Sequence, residues 1–208
     1  MLHVESLKGN SLDILKGLML IPELDCLNLA GGTALALKYG HRISIDLDLF
    51  SSVDFENKVL FNTIQKKYPP YQVLNINNKA GLFGFIDGVK LDIVRHEKFT
   101  LIAPVDTIEE IRFLSDADIA AMKIFAILER SKKKDMYDIS LLLDKYGLEI
   151  IIHWYFKKYP ENNMLISVPT ALLYFVETES DIDPETLINQ KWTQVKKNVS
   201  KHVNNYLK

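Results

Sequence analysis

Several features that would quickly assign a function are scarce or missing. Of the 208 residues only Cys26 is a cysteine, which excludes an intrachain disulfide and any zinc site built from several thiolates. It sits in the apolar run LDCLNLA, where a small buried thiol fills space rather than attacking a substrate. No apolar run nears the roughly 20 residues needed to cross a bilayer, so no transmembrane segment and no membrane partner is expected. Residues 1–20 carry acids and lack a basic start followed by an apolar stretch and a cleavage site; the chain reads as having no secretory signal, and the cytoplasm is the expected compartment. Charge of one sign is also lacking. With 25 basic and 27 acidic residues the formal net charge is −2, so no global field draws the protein onto nucleic acid and any such contact has to be local. The Walker lysine pattern and the dinucleotide GxGxxG are absent, as are internal repeats and low-complexity tracts, which removes P-loop and Rossmann sites from consideration.

What is present is ordinary globular composition, 48% apolar and 25% charged, in a chain long enough for one large domain or two small ones. SLDILKGLML predicts a first helix behind a Ser11 cap, stopped by Pro22. Residues 24–30 predict a buried strand. Gly31 and Gly32 break it, Thr33 caps a short helix through ALALKY, and Gly40 ends that helix. A second strand, ISIDLDLF, follows; then Asp54 caps a helix through FENKVLFNTIQKKY, ended by Pro69-Pro70 before a further strand at YQVLNI. GLFGFID and VKLDIVR form a hairpin across Asp87-Gly88, a pair suited to positive φ. After about residue 106 strand signals cease. An initial helical turn over Ile108 to Phe113 leads into SDADIAAMKIFAILERS, KKDMYDISLLLDKYG, LEIIIHWYFKKY, PTALLYFVETE and a last stretch over 184–208.

The stretch GGTALALKYGHRISIDLD carries the chemistry. Side chains alternate along a strand, so Asp46 and Asp48 point to one face while Ile45, Leu47 and Leu49 point to the other. Asp92 projects opposite Leu91 and Ile93 and is expected to join the pair on a shared sheet face. A glycine turn entering a helix offers backbone N–H groups and the positive end of the helix dipole to a phosphate chain. Gly31, Gly32 and Thr33 suit that role, although a lone GG-Thr is by itself more often a plain turn. Three converging carboxylates repel one another unless a cation such as Mg²⁺ neutralises them. Two such ions about 3.5 to 4 Å apart can clamp the attacking and leaving oxygens of a phosphoryl displacement.

GGTALALKYGHRISIDLDLF resembles the first motif of the AbiEii/AbiGii-type toxin nucleotidyltransferases, members of the DNA polymerase β-like nucleotidyltransferase superfamily. KLDIV and KIFAILERSKKKDMYDISLLL are similar to its later motifs. The resemblance implies an α/β (α+β) nucleotidyltransferase-fold mixed sheet flanked by helices, over residues 1–106, and a C-terminal helical region, 107–208, that completes the nucleotide site. It implies that Gly31, Gly32 and Thr33 hold phosphates, that Asp46, Asp48 and Asp92 bind Mg²⁺ (or Mn²⁺), that Asp92 alternatively activates an acceptor hydroxyl, and that Lys123 contacts the triphosphate. Arg42 and Ser44 belong to the same motif and reach phosphate or metal-bound water, with support of Asp46 as the plainer role for Ser44. His41 reads as structural. The implied reaction moves a nucleoside monophosphate from an NTP to an acceptor, a transfer RNA end first, with release of pyrophosphate. The implied setting is a bacterial toxin–antitoxin or phage-defence system with a cognate antitoxin as partner. The alternatives are a protein or small-molecule acceptor, or a nucleotide-binding regulator without turnover.

In the helical half Lys123 and Arg130 are seven apart, on one helix face; Asp135 and Asp138 share a face of the next helix. The resemblance implies that Arg130, Asp135 and Asp138 join Lys123 at the nucleotide; the bland alternative is structural salt bridging, including an exposed Lys134–Asp138 pair. Lys132 to Lys134 read as a solvated connection. The last segment has Lys191, Lys196, Lys197, Lys201 and Lys208 and no acid after Glu185; with Trp192, Val195, Val199 and Val203 packed inward, a basic face is expected outside, either solvated or set against RNA phosphates.

Overall fold

The computed structural model describes residues 1–96, 100–162 and 165–208. These form two compact units, Met1–Leu114 and Ser115–Lys208.

The first unit contains α1 (Ser11–Met19), β1 (Leu27–Leu29), α2 (Gly31–Tyr39), β2 (Leu47–Ser51), α3 (Asn57–Lys67), β3 (Gln72–Val73), β4 (Gly81–Ile86), β5 (Val89–Arg95), β6 (Asp106–Ile108) and β7 (Ile111–Phe113). Among the described residues the strands form one sheet in the order β3-β4-β5-β2-β1-β7-β6. It is mixed: β2 runs parallel to β5 and β1 parallel to β7, while the remaining pairs are antiparallel. Leu47, Leu49, Leu91 and Ile93 are buried on one face, each such side chain contributing about 1.5–3 kcal/mol by leaving water. The hairpin between β4 and β5 turns through Asp87 at φ 47° and Gly88 at φ 80°, as Asp-Gly predicts.

Several local expectations are corrected. The helical turn expected over Ile108 to Phe113 is the β6–β7 hairpin, turning through Glu109 (φ 48°) and Glu110 (φ 68°). An acidic pair is an unusual occupant of left-handed backbone, so no turn signal marks it. What holds β7 is tertiary: Phe113 pairs with Leu29, and Arg112 donates to the carbonyls of Leu27, Met19 and Leu24 at 3.0–3.1 Å. This hairpin belongs to the first unit, Met1–Leu114. Residues 22–24 form a 3₁₀ turn that shortens β1. Ser11 lies inside α1 after Asn10, and its hydroxyl faces the Ile45 carbonyl at 3.5 Å. Asp54 does not cap α3, which begins after Glu56; its carboxylate accepts from Phe55 N and Arg95 Nε. β3 covers only two residues of YQVLNI. Helix α2 starts at Gly31 with Ala30 as its uncapped N-terminal boundary, so Thr33 lies within its first turn. Gly40 closes α2 in left-handed geometry.

The second unit contains α4 (Asp116–Glu129), α5 (Lys133–Tyr146), α6 (Leu148–Lys158), α7 (Val168–Leu173) and α8 (Trp192–Tyr206). Ser115 caps α4 by accepting from Asp118 N. Between α4 and α6 the fully buried Lys158–Asp118 pair closes at 2.7 Å. The segment expected as one helix through PTALLYFVETE stops at Leu173 and resumes as a 3₁₀ turn at Val176–Thr178. α8 starts at Trp192, eight residues into the expected 184–208 stretch, and buries Trp192, Val195, Val199 and Val203 as their spacing requires. No described helix is long and apolar enough to cross a membrane.

Candidate active site

The carboxylates are placed by strand register. In the parallel β2–β5 pair Asp48 stands opposite Asp92, and Leu47 opposite Leu91. Paired residues in adjacent strands, about 5 Å apart, project from the same face. Asp46 lies one residue before β2, close enough for its charge to reach Lys90. On the other side of β5, Phe83 pairs with Asp92 and Phe85 with Lys90. The result is a patch of three acids and one lysine bordered by two phenylalanines. Its residues are half-buried or exposed, while Leu47, Leu91 and Leu82 on the opposite side of the pleat are fully buried.

Ile45 departs from the expected alternation. It is 55% exposed, because β2 begins only at Leu47 and the chain before it is tethered elsewhere. Ser44 bridges to Leu7, and Thr33, itself buried, fixes the segment from the other side. The Thr33 hydroxyl lies 2.8 Å from the Ser44 hydroxyl and donates to the Asp46 carbonyl. Thr33 and Ser44 thus tie α2 to the backbone that presents Asp46. Arg42 is buried and donates to the Ile43 carbonyl at 3.0 Å, and His41 is buried beside it.

The glycine turn meets the carboxylates directly. Ala30 N donates to the Asp48 carbonyl at 2.9 Å. Gly31 has φ +67°, and a Cβ there would come 2.7 Å from Asp48 Oδ2. Only glycine fits both the backbone angle and the approach. The first helical bond of α2 runs from Ala34 N to the Ala30 carbonyl, so the amides of Gly31, Gly32 and Thr33 precede the intrahelical ladder and form the electropositive end of the helix.

Asp92 is 15% exposed at its side chain; its Oδ2 accepts a hydrogen bond from Lys90 Nζ, whereas Oδ1 is buried and accepts none among the described residues. Lys90 was not singled out in the sequence. The signal for it is its position two before Asp92 on the same strand, hence on the same face. Burial alone pulls the Lys90 ammonium down, but the hydrogen bond to Asp92 and the charges of Asp92, Asp48 and Asp46 outweigh burial and hold it above the ordinary lysine value. Tyr71 is buried at the edge of the same region, and burial, followed by the Asp92 charge, pushes its phenol up. Among the described residues no three acidic, thiol or imidazole side chains are already gathered into a metal-binding cluster. The donor set nevertheless suits a hard divalent cation: carboxylate oxygens on adjacent positions of one face, one of them buried without a donor.

The second unit holds its own charged cluster. Lys123 on α4 is buried and meets Asp135 Oδ1 at 2.7 Å and Asp138 Oδ2 at 2.6 Å, both from α5. Asp135 and Asp138 share a face as their spacing requires. Asp138 is completely buried and bonded to Lys123, where an exposed carboxylate was expected. Arg130 is exposed and lies past the end of α4 in extended backbone, which ends the helical stacking expected with Lys123. Lys133, expected as solvated, is buried and pairs with Asp183 at 2.9 Å.

The family described as nucleotidyl transferase AbiEii toxin, type IV TA system, matches residues 13–78 and 82–204. The chain is 32% identical over 187 residues to the uncharacterized protein aq_aa25 of Aquifex aeolicus (strain VF5), covering 86% of this chain and 87% of that protein. Two solved structures share the fold. MenT4, nucleotidyltransferase toxin Rv2826c from Mycobacterium tuberculosis H37Rv, superimposes with a TM-score of 0.55 at 14% identity, over 94% of this chain and 84% of that one. JHP933 from Helicobacter pylori gives 0.54 at 18% identity, over 96% and 92%. A family pattern that runs through both units, together with a relative matched along most of its length, places this chain in the AbiEii nucleotidyltransferase toxin family.

Proposed function

We propose that the protein transfers a nucleoside monophosphate from an NTP to the end of a transfer RNA, in a reaction dependent on Mg²⁺ or Mn²⁺, as the toxin of a bacterial toxin–antitoxin system with a cognate antitoxin as partner. The cytoplasm and a part in phage defence belong to the same reading. The observation that carries the chemistry is the register of Asp48 with Asp92 beside the glycine-started N-terminus of α2. Asp46, Asp48 and Asp92 are the metal ligands in this reading. A bound Mg²⁺ would neutralise them and polarise the phosphate under attack.

The chain's own residues divide the remaining work. The amides of Gly31, Gly32 and Thr33 receive phosphate oxygens at the positive end of α2. Thr33 and Ser44 hold the backbone that carries Asp46, and Arg42 belongs to the phosphate-facing motif. Asp92 completes the metal site or, as the alternative, takes the proton of the acceptor hydroxyl as that oxygen bonds to the α-phosphorus and the bond to the β-phosphate oxygen breaks. Pyrophosphate leaves with that electron pair. Lys123 is the triphosphate contact, held by Asp135 and Asp138, with Arg130 as an accessory cation.

The test is incubation with labelled NTPs and separated pools of tRNA, protein and small molecules. Label should enter tRNA with equimolar pyrophosphate release, and Asp48→Asn should lower the rate by at least about a thousandfold while leaving the melting temperature near wild type. Wild-type turnover by Asp48→Asn rejects the metal assignment; label in another pool replaces the acceptor.

A further inference from the structure

The carboxylates stand in the middle of a row that crosses the sheet of the first unit. At one end Ala30 N donates to the Asp48 carbonyl and the glycine turn opens α2. Asp48 then pairs with Asp92, Asp92 with Phe83, and Leu74 N donates to the Phe83 carbonyl at 2.9 Å. Neighbouring strands lie about 5 Å apart, which puts Leu74 about 10 Å beyond Asp92. This far end is apolar and open: Phe83 is half-buried, Phe85 is 41% exposed and Leu74 is 77% exposed. Leu82 and Ile86 of the same strand alternate onto the opposite face, where both are fully buried, so the core does not require the two rings. Single exposed apolar residues are ordinary. Two rings two positions apart with a leucine alongside form a continuous patch, and a patch beside a polar site marks a binding surface.

We infer that Phe83, Phe85 and Leu74 form a platform on which unpaired bases at the single-stranded end of an acceptor RNA stack. This rests on the transfer reading above. An in-line displacement sets the attacking oxygen and the leaving pyrophosphate on opposite sides of the phosphorus. With phosphates at the α2 end of the row and the metal ligands in its middle, the attacking hydroxyl arrives from the far end, over β4. Base faces are flat and uncharged, and they stack on aromatic rings with little regard to sequence. A polycationic small molecule would be met by acids instead, and Gln72, Leu74, Phe83 and Phe85 supply none. Gln72 pairs with Phe85, and so does Lys90, whose ammonium bonds Asp92. The border of the platform therefore carries a half-exposed cation of the sign that a backbone phosphate needs.

The experiment uses the full chain and a single-stranded RNA hexamer with 2-aminopurine at its 3′ end, a base whose fluorescence falls when it stacks. Wild type should quench the probe. Phe85→Ala and Phe85→Leu should both weaken binding about tenfold, since leucine restores apolar area but no ring, whereas Phe85→Trp should bind at least as tightly as wild type. In turnover, Phe85→Ala should raise the KM for tRNA about tenfold and leave the KM for NTP near wild type, a split that a damaged fold would not produce. Wild-type hexamer binding by Phe85→Leu, or an equal rise in both KM values, overturns the inference. If wild type labels tRNA and Phe85→Ala keeps the same KM for it, the platform fails while the transfer reading stands. Label in a protein or small molecule, with no binding of the hexamer, removes the RNA acceptor and the platform together.

Discussion

Two glycines at the ends of one helix show how differently the same residue type can matter. Gly40 closes α2, and a side chain there would meet the ring of His3, which is a packing matter. Gly31 opens α2 with its missing Cβ against Asp48 Oδ2. Gly31→Ala therefore combines a left-handed backbone cost of about 1 kcal/mol with a push on a proposed metal ligand. A displacement of that order is expected to lower transfer by about a hundredfold, against a fall in melting temperature of only about 2–4 °C. Pyrophosphate release and circular dichroism melts on the same preparation check this. A variant that melts lower yet turns over normally would detach Gly31 from the chemistry. At this scale the register of Asp48 with Asp92 follows from strict strand geometry, whereas Asp46 lies before β2, where Ile45 breaks the alternation. Lys90 was not legible in the sequence, because a lysine on a solvent-facing strand position looks like any solvated one. Lys133 was hidden for a related reason: its partners Asp181 and Asp183 arrive about fifty residues later.

Elements with their own periodicity and caps, such as α4 behind Ser115 and the β4–β5 hairpin across Asp87-Gly88, were legible; those made by distant partners were not. β7 exists because β1 and Arg112 hold it, and α5 shows the same dependence at its start. Lys132 gives α5 no side-chain cap; instead Asp181 accepts from Lys133 N at 2.9 Å, a cap supplied from another part of the chain. The hydrogen bond from the Lys133 amide, opposed by slight burial and aided by the Lys132 charge, holds the Asp181 carboxyl below its ordinary value. A carboxyl depressed in the folded state contributes fully above its unfolded pKa of about 3.9 and loses that contribution as pH falls through the folded value. Asp181→Ala should accordingly melt about 2–4 °C below wild type at pH 7, and the gap should narrow below about pH 4. Melts across pH 3–7 decide it; a gap independent of pH would mean that the carboxylate charge plays no part in holding α5.

For the molecule as a whole, a net charge of −2 means that any hold on a polyanionic acceptor has to come from a local surface. α8 offers one. Its apolar side is committed to the core through Trp192, Val195, Val199 and Val203, and Lys196 pairs with Glu179, while Lys197 and Lys201 are exposed one turn apart. If this face meets tRNA phosphates, Lys197→Glu together with Lys201→Glu should raise the KM for tRNA by about tenfold at low salt while the rate at saturating tRNA and the KM for NTP stay near wild type. The salt dependence carries the sharper signature. Each lost phosphate contact removes about 0.7 to 0.9 from the slope of log affinity against log salt, so the double variant should show a slope shallower by about 1.4 to 1.8. Both positions lie outside the buried stripe of α8, so the melting temperature should hold and any loss can be read as binding. Unchanged slope and KM would make these lysines a solvated face and send the search for the acceptor's contacts elsewhere on the protein.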